Sequence, residues 1–240
     1  MKICFLGVAS SINANGIGSS ILINDRVLID APPACNANLL KNNIDLNGIS
    51  DIFISHLHGD HFIGLPFLLI EYMLLDRATP LNIYGDHRLE KTIFDLLVLA
   101  YPDINTKEQI KKSNYVFHNI NEYSEINIED ISIAPFDTEH SPNSKGFVIK
   151  ENKKKILFSS DTGMFEGLAK KIEECDEIII DGTTFDLNIP GHINYMQIKK
   201  LAYQFNEKKF FVVHRGRYEV DLICENILLP DEGNVVYFCE

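Results

Sequence analysis

The chain is poor in the features that mark non-globular proteins. Its 240 residues hold only 14 glycines and 9 prolines, without a period, which excludes collagen-like and low-complexity classes. The five cysteines (Cys4, Cys35, Cys175, Cys224 and Cys239) are odd in number, and none forms a C-x-x-C pair. A disulfide framework is therefore not expected, and reduced thiols in a reducing compartment are. Long apolar runs are missing too. The longest, Phe62 to Leu75, is broken by Gly64, Pro66 and Glu71 and is too short to span a bilayer. Met1 to Gly7 is too short for a signal peptide and reads as a first strand. No membrane partner and a cytoplasmic location are expected. Positive charge is scarce: 22 Lys+Arg face 34 Asp+Glu, a formal charge of −12. A field of that sign repels phosphate polymers, so a large nucleic acid is disfavoured as partner, whereas a local pocket for a small anion is not.

What is present is ordinary for a folded, soluble chain: 45% apolar and 23% charged residues, enough for a sizeable core. Neither a repeat nor a Gly/Ser-rich linker divides it, so one domain over residues 1–240 is expected. Strand patterns lie at Ile3–Val8, Ser20–Ile23, Arg26–Asp30 and Asp51–Ser55, then at Glu125–Ile133, Gly146–Lys150, Ile156–Ser159, Glu177–Asp181, Phe210–Val213 and Val235–Phe238. Helical spacing marks Leu65–Leu75, Arg88–Tyr101 and Gly163–Cys175. A further helix runs to Phe205 behind Asn194, with Gln197 placed for a capping box. Strands in runs early and alternating with helices late predict an α/β sandwich with helices covering sheets. Asp30, His56, Asp161, Asp181 and His214 all close apolar strands, where α/β folds place their chemistry.

The densest signal is His56-Leu57-His58-Gly59-Asp60-His61. Four metal-ligand side chains in six residues, leaving a buried-type strand, are hard to explain by packing. Imidazole and carboxylate suit zinc, and also manganese or iron. Gly59 is expected to allow the tight turn.

Unbroken H-x-H-x-D-H is the signature of the metallo-β-lactamase superfamily, which this sequence resembles along most of its length. Asp30, His140 with the following Lys145-Gly146-Phe147, Asp161 in Ser159-Ser160-Asp161-Thr162-Gly163, and His214 after Val212-Val213 all occur in family order. The resemblance implies a four-layer αββα sandwich of two mixed β-sheets with helices outside. It also implies two divalent ions per chain, with zinc preferred and manganese or iron as alternatives. One ion would take His56, His58 and His140, the other Asp60, His61 and His214, with Asp161 between them. The nucleophile would be a hydroxide held by the metals, and Asp60 counts as a catalytic residue as well as a ligand.

Pro190-Gly191-His192 lies ahead of the last helix, where ribonuclease Z and related phosphodiesterases carry a Gly-His segment. By resemblance His192 is the general acid that protonates the leaving oxygen. Ribonuclease Z also carries an RNA-gripping arm between the residues matching His140 and Asp161. Here only 21 residues separate them (161 − 140). The expectation is therefore a compact phosphodiesterase hydrolysing a small phosphodiester, preferably a cyclic nucleotide or cyclic ribose phosphate. The alternatives are a tRNA 3′-processing endonuclease of ribonuclease Z type, or a lactone, thioester or β-lactam hydrolase. Asp30, Ser141, Asp181, Arg215, Arg217 and Tyr218 are candidates for supporting the ligands or touching substrate. A homodimer is compatible with the apolar helix after the histidine cluster.

Overall fold

The computed structural model describes residues 1–75, 77, 79–102, 113–219 and 224–238. Cys239 lies outside the described residues. The strands form two sheets. The first contains β1 (Lys2–Gly7), β2 (Ser20–Ile23), β3 (Val27–Ile29), β4 (Asp51–Phe53), β5 (Leu81–Gly85) and β6 (Tyr115–Asn119), in sequence order. The second contains β7 (Ile126–Ile128), β8 (Ile131–Asp137), β9 (Lys145–Glu151), β10 (Lys154–Phe158), β11 (Glu177–Asp181), β12 (Lys209–Val213) and β13 (Ile227–Leu228). A last strand, β14 (Val235–Tyr237), returns to pair antiparallel with β1. Both sheets mix parallel and antiparallel pairs, as expected.

Side-chain alternation builds the layers. Ile21, Ile23, Phe53, Phe147, Phe158, Phe211 and Val213 point into the core between the sheets. Their neighbours Leu22, Ile52 and Ile54 face outward beneath α1 (Cys35–Lys41), α3 (Gly64–Leu74) and α4 (Leu89–Ala100). On the other side Leu157, Ile178, Ile180, Phe210 and Val212 pack under α5 (Leu168–Glu173) and α6 (Tyr195–Gln204). A sheet covered on both faces needs apolar residues at successive positions, which is why Ile178-Ile179-Ile180 reads as one apolar run. Each such side chain contributes about 1.5–3 kcal/mol by burial. The result is the αββα sandwich. At one end the Arg26 guanidinium, between β2 and β3, binds Glu129 and Asp130, between β7 and β8. The candidate site is at the opposite rim.

Two expected elements differ. Glu125–Ile133 is a hairpin, not one strand, because Glu129 takes a left-handed backbone (φ 51°) and turns the chain. The helix expected over Gly163–Cys175 begins only at Leu168, after left-handed Gly167 (φ 97°). Residues before it are drawn to the rim, where the Gly163 amide donates to the Glu139 carbonyl (2.7 Å). The capping box forms as expected: Asn194 Oδ1 accepts from the Gln197 amide and Gln197 Oε1 from the Asn194 amide. Helix α3 leaves Phe67 and Leu74 exposed. Among the described residues no helix is long and apolar enough to cross a membrane.

Candidate metal centre

Four strand ends supply the site. His56 and His58 follow β4, and Asp60 and His61 lie on the short α2 (Gly59–Phe62). His140 follows β8, Asp161 follows β10, and His214 follows β12. The turn is held by close backbone approach. A Cβ on Gly18 would stand 2.5 Å from the Asp60 carbonyl oxygen, and one on Gly64 2.1 Å from that of Pro32. Gly59 contributes differently from expectation: its φ is not left-handed, and it leaves room for Ile63. Asp30, Ser160 and His214 are the strained positions, each at a strand end with φ between 52° and 61°. Such conformations cost about 1–3 kcal/mol each and persist only where surrounding contacts hold them.

The side chains converge on Asp161. Its Oδ2 lies 3.3 Å from His61 Nε2, 3.3 Å from His214 Nε2, and 3.7 Å from both His56 Nε2 and His140 Nε2. His58 Nδ1 faces His140 Nε2 at 2.9 Å. Asp60 Oδ2 is 3.4 Å from His214 Nε2 and 3.7 Å from His61 Nε2. Three overlapping groups of donor atoms result: His56, His58, His140 and Asp161 in one, Asp60, His61 and His214 in another, and Asp161, His192 and His214 in the third. His56 Nε2, His61 Nε2 and Asp161 Oδ1 are buried without a hydrogen-bond partner. Each such orphan costs about 1–3 kcal/mol unless something meets it. Lone pairs aimed at a common point, without thiolates, fit divalent metal binding.

Outer contacts fix the rings. Asp30, fully buried, accepts from the Ser55 amide, the Ser55 hydroxyl and His61 Nδ1, each at 2.8 Å. Ser55 Oγ also meets His56 Nδ1 at 3.0 Å. The Gly191 carbonyl accepts from His140 Nδ1 at 3.0 Å. Asp181 Oδ2 accepts from His192 Nδ1 at 2.9 Å, and its Oδ1 accepts from the Thr183 hydroxyl at 2.7 Å. The His192 ring stacks on His214, with centroids 5.3 Å apart and planes 4° apart, and stands edge-on to His140.

Electrostatics follow from this crowding. Burial opposes charge on Asp161, but His214 and His61 hold its carboxyl well below the usual carboxylate range. Burial likewise works against protonated His61 and His214. Asp161 and Asp30 nevertheless raise His61, and Asp161, Asp181 and Asp60 push His214 up to about 10. Burial, with His61 nearby, pushes His56 down, and burial pushes His140 down. Protons on His61 and His214 thus balance the acids when no cation is present.

The family sequence model described as "Anti-Pycsar protein Apyc1" matches residues 1–221. The chain belongs to this Apyc1 family. Its wider setting is the ribonuclease Z-like part of the metallo-β-lactamase superfamily. Ribonuclease Z of Picrophilus torridus is 25% identical, across 98% of this chain and 91% of that protein. Ribonuclease Z of Methanococcus aeolicus is 32% identical over 65% of this chain. The match covers 49% of that relative, so the chain spans about half the length of several curated relatives. The crystal structure of human tRNase Z, short form, superposes with a TM-score of 0.77, covering 99% of both chains at 22% identity, a likeness of fold. The expected metal-dependent hydrolase class agrees with these relatives.

These findings correct two expectations. The preference for a small phosphodiester, a cyclic nucleotide or cyclic ribose phosphate, is overturned, because the curated relatives are named ribonuclease Z. The expectation that a large nucleic acid is an unlikely partner falls with it. Net charge was the wrong guide, because −12 is summed over the whole surface and includes Asp60 and Asp161, which lie within the cluster.

The remaining predicted residues divide. Asp30 and Asp181 stand directly behind the cluster. Arg215 points away: its guanidinium donates to the Pro230 carbonyl (2.5 Å) and lines a separate cleft with Asn13 and Asp231. Tyr218 donates to the Gly182 carbonyl, Arg217 is exposed, and the Ser141 carbonyl closes a turn with Ser144. Sequence reasoning did not name the Ser55 and Thr183 hydroxyls as hydrogen-bond partners in the site. Adjacency to His56 and Asp181 was the available signal.

Proposed function

We propose that this chain is a metal-dependent phosphodiesterase of the ribonuclease Z type that cuts an RNA phosphodiester, with precursor tRNA 3′ ends as the substrate class. The single observation that carries the reading is Asp161 Oδ2, set within 3.7 Å of four histidine nitrogens, two of them orphaned. His56, His58 and His140 would hold one divalent ion, Asp60, His61 and His214 a second, and Asp161 both, with zinc preferred. When bound, such ions lower the pKa of water towards about 7 and neutralise phosphate charge.

The chain's own groups do the rest. Asp30 and Ser55 keep the His61 and His56 rings from rotating. His192, its Nδ1 engaged by Asp181, turns Nε2 away from that carboxylate and serves as proton donor to the departing ribose oxygen. A reducing, cytoplasmic setting goes with this reading, supported by Cys4, Cys35, Cys175 and Cys224 being buried and unpaired.

The test is incubation of zinc- or manganese-loaded protein with an end-labelled tRNA precursor carrying a 3′ trailer. Endonucleolytic release of the trailer is expected. An intact precursor, with cyclic mononucleotides hydrolysed by the same preparation, would sink the proposal.

A further inference from the structure

Thr183 has no role in the reading above, yet it is bound to both histidine-bearing segments. Its amide donates to the Ile193 carbonyl (3.1 Å), next to His192, and its carbonyl accepts from the Gly216 amide (2.9 Å), two residues past His214. Its side chain repeats the pattern. Oγ1 lies 2.7 Å from Asp181 Oδ1, 2.8 Å from His214 Nδ1 and 3.0 Å from His192 Nδ1. Thr183 is 4% exposed, so water does not compete for these bonds.

We propose that Thr183 is a positioning residue whose hydroxyl keeps the proton of His214 on Nδ1, leaves Nε2 open toward a metal ion, and sets His192 in register beside it. A hydroxyl has one proton and two acceptor lone pairs, while an ionised carboxylate only accepts. The Thr183 proton therefore goes to Asp181 Oδ1. Any ring nitrogen meeting Oγ1 must then donate to it. His214 Nδ1 has its other acceptor, Asp181 Oδ1, only at 3.4 Å, so Oγ1 is its main partner. His192 Nδ1 divides its proton between Asp181 Oδ2 and Oγ1. Threonine suits this duty because branching at Cβ restricts its rotamer. The hydroxyl thus couples a ligand ring to the proposed acid without touching metal or substrate. The inference rests on the metal reading above.

The experiment compares wild type, Thr183→Val and Thr183→Ser for zinc affinity by chelator competition, beside melting of the metal-free proteins. Valine keeps the shape and loses the hydroxyl; serine does the reverse. Loss of an outer hydrogen bond of this kind weakens metal binding about 10–100-fold. That loss is expected for Thr183→Val, with Thr183→Ser close to wild type. A role in packing alone reverses the order, and that result would overturn the inference. Should Thr183→Val fail to fold, the zinc-loaded wild type decides. An exchange-protected His214 Nδ1–H resonance is expected by nitrogen-15 NMR, and its absence refutes the assignment. A wild type that takes up no divalent ion fails the site reading itself, whereas equal binding by wild type and Thr183→Val fails only the role given to Thr183.

Discussion

His56, His61, His140 and His214 each have Nδ1 engaged away from the centre, by Ser55, Asp30, the Gly191 carbonyl and Thr183 respectively. With Nδ1 so occupied, the four Nε2 atoms face Asp161. His192 shares the pattern through Asp181 but lies on the flank of the ring set. That difference predicts separable effects. His192→Ala is expected to retain the wild-type metal content while RNA cleavage falls about 10²–10⁴-fold, the usual worth of a positioned proton donor. Metal analysis and single-turnover rates check it, and undiminished cleavage removes His192 from the mechanism. At this scale the sequence was informative wherever ligands cluster in six residues or end apolar strands. It assigned no role to the hydroxyls of Ser55 and Thr183. Hydroxyls are common, and their value here depends on meeting His56 or His214 in space.

Among elements, α6 shows how a local signal serves the site. Its capping box was legible because Asn194 and Gln197 stand three apart before an apolar stripe. Less legible was the second duty of Asn194. Its side-chain Nδ2 also donates to Asn188 Oδ1 (2.9 Å) and the Asp186 carbonyl (3.3 Å), bracing the segment that carries His192. Asn194→Ala should therefore cost more than the ~1 kcal/mol of a lost cap. Urea unfolding is expected to show a loss of up to about 2 kcal/mol, since the side-chain bonds to Asn188 and the Asp186 carbonyl are lost with the cap and each such bond contributes about 0.5–1.5 kcal/mol. A loss below half of that would mean the loop is held by other contacts. Apolar alternation located most strands, but Glu129 and Gly167 determined a hairpin and a helix start through backbone angles. Glu129 belongs to a residue type for which such angles are uncommon.

At the scale of the molecule, the ligands come from both sheets: His56, His58, Asp60 and His61 from the first, and His140, Asp161 and His214 from the second. Metal binding should therefore stabilise the whole sandwich. At a free ion concentration 100 times Kd the gain is about 2.7 kcal/mol. For a chain of this size that raises Tm by roughly 5–11 °C, at about 2–4 °C per kcal/mol. The effect should shrink as pH falls from 8 to 6. His61 is raised and His214 lies at about 10 in the metal-free state, so the ion must displace protons from both, and acid favours their return. Calorimetry with and without chelator at each pH measures this; a Tm gain that grows on acidification would contradict the assignment.

The Arg26 bridges to Glu129 and Asp130 acquire a meaning from this arrangement. They pin the two sheets at the end remote from the ligands. Near the site, the backbone joins the sheets through the Lys145 amide to the Ser55 carbonyl and the Arg215 amide to that of Val8. The sandwich therefore resembles a book with Arg26 at the spine, in which a divalent ion would act as a clasp beside backbone bonds that already hold the edge. Chelation should loosen the reactive edge without parting it, because those backbone bonds and the spine both remain.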